Sequence, residues 1–474
     1  MHLESISHYL GLDDYRLRQK NENFAVYYEP DKLINAHMLL CGMSGTGKSF
    51  QTLRMLESAA KTGVQVDVFD VHDELSNIKN ASVCLYSQYT AYGYNPLVLE
   101  TDAHTGGVNR QVDFIVNLIR KATPQFGAKQ EAALRYLLID TYYASGISQK
   151  DTNSWHRKKI TEQQRQKIIE QRQWSQLREY YPTMDDLRSY AKRKITTLMM
   201  GGDNKSVTAL DHLCRSKSRL HSCLTKASKS VTDDDIAKMQ KMIEKNKNEC
   251  IENYTNFVNA MQTGREIDDV LKYDSMDVLT SVIQRLDILN SAGIFSANEP
   301  DFGNSNVRVH QIKSLSSEQQ ILFVKLRLRE IFEKYKRMGA TKSGTEIRQI
   351  VFLDEAHKYF TDDNDDIVNI IAKEARKFGL GLWCASQQPT EFPESFLTNV
   401  GATVLLGIHA SFWKRSANLL RISEESLKWI KPKEVMAIKL QKDGRADPPF
   451  VNIVVPNPNS AFGQRAASEY SQRS

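Results

Sequence analysis

The stretch "MLLCGMSGTGKS", residues 38–49, carries the densest chemistry in the chain. A short apolar run meets a loop in which Gly42, Gly45 and Gly47 precede Lys48 and Ser49, the pattern G-x-x-x-x-G-K-[ST] of a phosphate-binding loop. Glycines let the backbone N–H groups turn inward on a β-phosphate, the lysine bridges β- and γ-phosphates, and the serine hydroxyl reaches Mg²⁺. With Ser44, Thr46 and Phe50 added, residues 42 and 44–50 form the candidate nucleotide-contacting set.

Far downstream, "VFLDE" at 351–355 ends an apolar run in two acids. Asp354 would hold Mg²⁺ through water, and Glu355 would be the general base that orients and deprotonates the attacking water. Kinases and many GTPases do not place a glutamate directly after this aspartate, whereas motor ATPases with repeated turnover usually do. The plainer alternative is a pair of acids capping a strand. Gln387 is a candidate sensor of the γ-phosphate or the water, against the alternative of a turn amide. Arg376 and Lys377 solvate a surface, or Arg376 reaches a neighbouring subunit's γ-phosphate as an arginine finger. Asp70, His72 and Glu74 follow the second strand, where an acid positions metal or water, or serves structure alone. The segment "DTNSWHRKK" has an Asp, a His and lysines but not the further carboxylates of a nuclease, and reads as surface.

These residues need a scaffold that brings them together. Residues 38–41 read as a buried strand, about Lys48 to Lys61 as a helix stopped by Gly63, and "VQVDVFDV" at 64–71 as an alternating second strand. Strand, glycine loop, helix, strand is the βαβ context that the loop motif requires. Two helices follow in 111–143. Ile321, Val324, Leu328, Ile331, Tyr335 and Met338 recur at helical spacing. "QIVFLDEAH" brings a strand ending in the acids, "IVNIIAKEARKF" a helix bearing Arg376, and "LGLWCAS" a strand ending at Gln387; "ATVLLGI", "VMAIKL" and "FVNIVV" add further strands. Alternation of strands and helices predicts an α/β fold with a mostly parallel central sheet.

The chain has 474 residues, 41% hydrophobic and 25% charged, as in a soluble globular protein. No apolar run approaches the roughly 18 residues of a membrane helix, and the first residues lack a secretory pattern, so a cytoplasmic address without membrane attachment is expected. The six cysteines lack metal-ligand spacing and read as reduced thiols, mostly buried. Net charge is +6, yet residues 151–229 hold 17 Lys plus Arg against 8 Asp plus Glu, a surplus of nine. Such a face attracts a polyanion or simply solvates a helix surface. The expected organisation is a short N-terminal segment (1–35), a first part of the core (36–149), a polar, basic helical insertion (150–260), a second part of the core (261–455) and a flexible tail (456–474).

With these residues in hand the chain resembles the HerA/FtsK group of hexameric DNA-translocating ATPases, HerA-like proteins most closely. The likeness covers roughly 35–145 and 280–455 and rests on "NAHMLLCGMSGTGKS", "VFDVHDEL", "YNPL", "VRVHQIKSLS", "IVFLDEAHKYF" and above all "AKEARKFGLGLWCASQQP", where an Arg-Lys pair leads into a strand ending in Ser-Gln-x-Pro. It implies a RecA-like P-loop NTPase core, ATP and Mg²⁺ bound between subunits of a homo-hexamer, and duplex DNA pumped through the pore, commonly for a separately encoded nuclease. Carried over, Lys48 and Ser49 bind nucleotide and metal, Asp354 and Glu355 take the metal and base roles, Arg376 is the trans-acting arginine and Gln387 the sensor. The family's usual N-terminal β-barrel has no room in the residues before the loop, which leaves the docking of an effector open.

Three functions follow as expectations. The first is a DNA translocase or helicase-type motor that works with a nuclease or other effector in DNA end processing or anti-phage defence. The second is a coupling ATPase of DNA transfer or secretion. The third is an ATP-dependent assembly scaffold with slow hydrolysis. The insertion is expected to bind the effector or DNA.

Overall fold

The computed structural model describes residues 5–123, 125–200, 204–227, 233–260, 272–273, 275–341, 346–442, 444 and 447–473. It divides into two compact units, Met1–Tyr94 with Ala292–Ser474, and Asn95–Ser291.

The first unit is built on one eleven-stranded sheet. In chain order its strands are β1 (His8–Asp13), β2 (Ala25–Tyr28), β3 (Met38–Cys41), β4 (Gln65–Asp70), β5 (Ser82–Leu85), β6 (Val307–Gln311), β7 (Gln349–Leu353), β8 (Leu380–Ser386), β9 (Ala402–Leu405), β10 (Val435–Leu440) and β11 (Val451–Val454). Across the sheet they run β2-β1-β11-β10-β9-β3-β8-β7-β4-β6-β5. From β9 to β5 every pairing is parallel. From β9 to β2 every pairing is antiparallel. The sheet is the α/β fold that the alternating pattern predicts, with an antiparallel wing that the pattern does not reveal.

The central strands "MLLC", "QIVFL" and "LGLWCAS" are buried along their whole length, as expected of parallel strands covered on both faces. Their register fixes the site. Cys41 pairs with Ser386, Leu353 with Cys384 and Phe69 with Leu353, so the C-terminal ends of β3, β8, β7 and β4 meet at one edge. That edge is where open α/β sheets bind ligands. One apolar core, including Leu40, Met55, Leu56, Val68, Phe352 and Trp383, packs the helix Lys48–Lys61 against the sheet.

The helix read at 321–338 spans Ser317–Arg337 and starts at a capping box of Ser316 and Gln319. Val324, Leu328, Ile331 and Tyr335 are buried as its spacing predicts, while Met338 lies past its end and is exposed. Lys325 is buried too, because its Nζ lies 2.6 Å from Asp366 Oδ2.

Three expectations are corrected. Residues 1–35 supply β1 and β2 to the sheet rather than standing outside it. The tail expected to be flexible forms the helix Ala461–Arg473, with Ala466 O accepting from Tyr9 Oη at 3.0 Å. The helical region is wider than 150–260: Val108–Ala122, Ala128–Ala144 and Met276–Leu289 pack together with Met184–Met200 in the second unit. Helical periodicity reports a buried face but not which neighbour buries it. Within this unit Tyr142 Oη donates to Leu97 O at 3.0 Å and Arg188 pairs with Asp287 at 2.7 Å. The cysteines are all free; Cys41, Cys84, Cys223 and Cys384 are buried, and Cys214 is exposed. Among the described residues no helix is long and apolar enough to cross a membrane.

Candidate nucleotide site

The loop after β3 is pinned at several points. Gly42 N–H donates to Ser386 O at 3.1 Å, Met43 N–H to Gly407 O at 3.0 Å, and Thr46 O accepts from Lys433 N–H at 3.2 Å. Thr46 Oγ1 closes the turn on Met43 O at 2.7 Å. Gly45 and Gly47 hold φ values of +79° and +97°, a region in which any side chain is strained. Among the described residues, the N–H groups of Ser44, Gly45, Gly47, Lys48 and Ser49 meet no backbone acceptor. They gather at the N-terminus of the helix Lys48–Lys61, where orphan donors and the helix dipole favour an anion. The donor set fits a polyphosphate.

β7 delivers the acid pair to the same edge. Asp354 N–H donates to Phe69 O at 3.1 Å, which ties the turn to β4. Glu355 has φ +46° and ψ +45°, a left-handed conformation that a non-glycine residue keeps only where its surroundings enforce it. Its Oε1 lies 3.4 Å from Lys48 Nζ and 3.6 Å from His72 Nε2, and its Oε2 3.5 Å from His357 Nδ1. Burial by itself would raise the Glu355 carboxyl. The Lys48 charge and hydrogen bond, with His357 and His72, outweigh it and hold the group below its ordinary value, so it is ionised as a base requires.

Asp354 goes the other way. Burial is the main cause, and repulsion from Glu355 and Asp70 adds to it against the pull of Lys48 and His72, pushing the carboxyl up to about 6. A buried carboxyl under this strain is relieved by a divalent cation, so its chemistry fits Mg²⁺. Ser49 Oγ hydrogen-bonds Glu74, placing a second oxygen donor and another acid by the loop.

Asp70, the last residue of β4, is used by the backbone: its carboxylate accepts from the N–H groups of His72 (3.1 Å), Glu74 (3.4 Å) and Leu75 (2.9 Å). His72 turns toward Glu355 and Glu74 toward Ser49. Sequence reasoning passed over a further group. His357 Nδ1 lies 2.9 Å from Ser386 Oγ and 3.6 Å from Glu391 Oε2, and Ser386 Oγ donates to Glu391 Oε2 at 2.5 Å. The available signal was the His three residues after Asp354 in "DEAH", and the Ser of the Ser-Gln-x-Pro segment.

Gln387, one residue past β8, is exposed, while its neighbour Ser386 is fully buried in that network. Arg376 is not on the α-helix, which ends at Glu374, but on a 3-10 turn, Ala375–Phe378. The turn precedes the first residue of β8, whereas the last residue of β8 meets the phosphate loop; a seven-residue strand spans roughly 20 Å, so Arg376 and Lys48 lie at opposite ends of the sheet. Phe50 is 55% exposed and lines a mostly apolar cavity of about 420 Å³ with Thr46, Gly47, Lys433, Val435 and Pro456.

Comparison with known proteins bears on the family and the fold. Residues 303–433 match the family model described as "Helicase HerA-like C-terminal". A 155-residue stretch is 28% identical to the "Probable helicase MJECL08" of Methanocaldococcus jannaschii, covering 29% of this chain and 29% of that relative's length. Among solved structures the fold is similar to that of VirB4 of Thermoanaerobacter pseudethanolicus, with a TM-score of 0.57 at 14% identity over 96% of this chain and 98% of that one. The larger family match, to "Helicase HerA, central domain", takes in residues 16–331 and with them the phosphate loop, and the chain accordingly belongs to the HerA helicase family of P-loop ATPases.

Proposed function

We propose that the protein hydrolyses ATP and, as a homo-hexameric ring, uses the cycle to move along duplex DNA together with a separately encoded nuclease or other effector. The observation that carries the reading is the approach of Lys48 to Glu355 across the edge of the sheet, which sets a phosphate-binding cation beside an ionised base. Family membership supports the motor role.

In this reading the N–H groups of residues 44–49 and Lys48 hold the β- and γ-phosphates. Ser49 and Asp354 would hold Mg²⁺, which would supply charge neutralisation on the phosphates. Glu355 takes a proton from water as the water oxygen bonds to the γ-phosphorus and the bond to the β,γ-bridging oxygen breaks, giving ADP and phosphate. His72 and His357 hold the Glu355 carboxylate in position. The cavity beside Phe50 takes the nucleobase. Arg376, at the far end of the sheet, acts on the nucleotide of a neighbouring subunit.

The test is ATP turnover with and without duplex DNA, paired with strand-displacement of a triplex-forming oligonucleotide. DNA-stimulated turnover and displacement, both lost in Glu355→Gln, are expected. Turnover that DNA leaves unchanged, with no displacement, would overturn the motor reading in favour of an assembly scaffold.

A further inference from the structure

The second unit holds a cavity of about 190 Å³ whose lining includes Arg165, Trp174, Arg178, Tyr180, Tyr190 and Arg193. It is built by the 3-10 turn Trp174–Glu179 and the helix Met184–Met200, on which Asp186, Tyr190 and Arg193 follow at spacings of four and three and so share a face. Arg165 is buried and its charge is balanced, with Nη2 2.8 Å from Asp186 Oδ1 and Nη1 3.7 Å from Asp185 Oδ2. The segment between is anchored by Tyr181 Oη, which donates to Trp155 O at 2.6 Å, and by Asn95 Nδ2, which donates to Pro182 O at 2.9 Å.

The rim is more exposed than this ion-paired base. Trp174 is 58% exposed, a large apolar area to leave in water. Arg178 is exposed, and among the described residues it has no acidic partner. The Arg193 guanidinium carbon lies 5.6 Å and Lys194 Nζ 5.7 Å from the Tyr190 ring centroid. Aromatic faces interleaved with guanidinium groups are what a nucleotide requires: a π-surface for the base and a planar cation for the phosphate. The segment 151–229, from which most of this lining comes, carries a sequence surplus of nine positive charges, which attracts a polyanion rather than a neutral partner.

We propose that this cavity binds one nucleotide unit, stacking an unpaired base on the Trp174 and Tyr190 side and holding its phosphate with Arg178 and Arg193. The unit is either the exposed end of a nucleic-acid strand or a free mononucleotide. The inference stands apart from the ATP site and does not depend on hydrolysis there.

The experiment uses the full chain without ATP. Binding is measured by fluorescence anisotropy with a labelled single-stranded oligonucleotide, a blunt duplex and, in competition, a deoxynucleoside monophosphate. In parallel a strand bearing 5-iodouracil is photocrosslinked and the adduct mapped by mass spectrometry. Crosslinks at Trp174, Tyr180 or Tyr190 are expected. Trp174→Ala should weaken single-strand binding about tenfold. The double variant Arg178→Gln with Arg193→Gln should lower the slope of log affinity against log salt by about 1.4. Competition by the mononucleotide at a matching concentration assigns the site to free nucleotide, and its failure assigns it to a strand end. Crosslinks confined to the first unit, unchanged affinity in both variants, preference for the blunt duplex alone, or retention of a protein partner with no nucleotide binding would overturn the proposal. Circular dichroism of the variants, whose substitutions lie on the exposed rim, verifies that they fold.

Discussion

Lys48 Nζ and Glu355 Oε1 face each other at 3.4 Å, although 307 positions separate them in the chain. One comes from the loop after β3 and the other from the turn after β7, and β8 lies between those strands. Replacing Glu355 with Gln keeps the shape and removes the base. Turnover is expected to fall by about 10² or more, with ATP binding retained. Lys48→Ala should instead weaken ATP binding itself. Calorimetric titration alongside steady-state hydrolysis separates the two; equal loss of binding in both variants would sink the division of roles.

His357 touches Glu355 on one side and the Ser386–Glu391 pair on the other. It is a positioning residue, so His357→Ala should lower kcat about tenfold with little change in KM for ATP, and His357→Asn should restore part of the loss. A rise in KM with kcat intact would show that the imidazole serves binding.

Lys325 and Asp366 form an ion pair with 3% and 2% of their side chains exposed, and Asp366 also caps the helix Ile367–Glu374. Removing one partner leaves a buried charge, so Lys325→Met should cost about 3–5 kcal/mol, while adding Asp366→Asn should recover much of it. Urea unfolding of the single and double variants measures this. A single variant as stable as the parent would contradict it.

Acid should destabilise the protein well above the ordinary carboxylate range. Burial pushes His8 down to about 3, with Arg54 and Lys61 adding to it, and pushes His37 down to about 4. Below the ordinary value of about 6.5 the unfolded chain takes protons that these folded imidazoles refuse, so stability is present above pH 6.5 and falls as the pH drops toward 4. Each group contributes about 1.4 kcal/mol per pH unit. Asp354, raised to about 6, opposes this, since the folded carboxyl binds its proton first. One carboxyl against two imidazoles leaves a net loss. Thermal melts from pH 7.5 to 4.5 test it, and a smaller slope is expected for His37→Gln; a flat midpoint in the parent would refute the assignment.

The loop was legible because its chemistry is local: Gly45, Gly47, Lys48 and Ser49 must be contiguous to wrap a phosphate. Asp354 and Glu355 were legible because an apolar strand that ends in acids marks the ligand edge of a parallel sheet. His357, Ser386 and Glu391 were not, because only the β7–β8 register brings residues from two separate turns within 3 Å. Gln387 was read from its place just past a strand end; β8 is buried at every position through Ser386, and Gln387, the next residue, is exposed. Arg376 was read on a helix because "IVNIIAKEARKF" keeps helical composition past Glu374, where the backbone tightens to a 3-10 turn. The antiparallel wing escaped because the spacing of "VMAIKL" and "FVNIVV" says nothing of direction.

The wing also sets a schedule for biosynthesis. Leu12 and Asp13 of β1 pair with Val454 and Ile453 of β11, so β1 waits for a strand synthesised long after it. At roughly 5–20 residues per second the interval is on the order of 20–90 seconds. Throughout it the antiparallel β1–β2 pair shows an unpaired strand edge, the feature on which chains misassociate. In a crowded translation complex, that exposed edge is where a chaperone would find this nascent polypeptide.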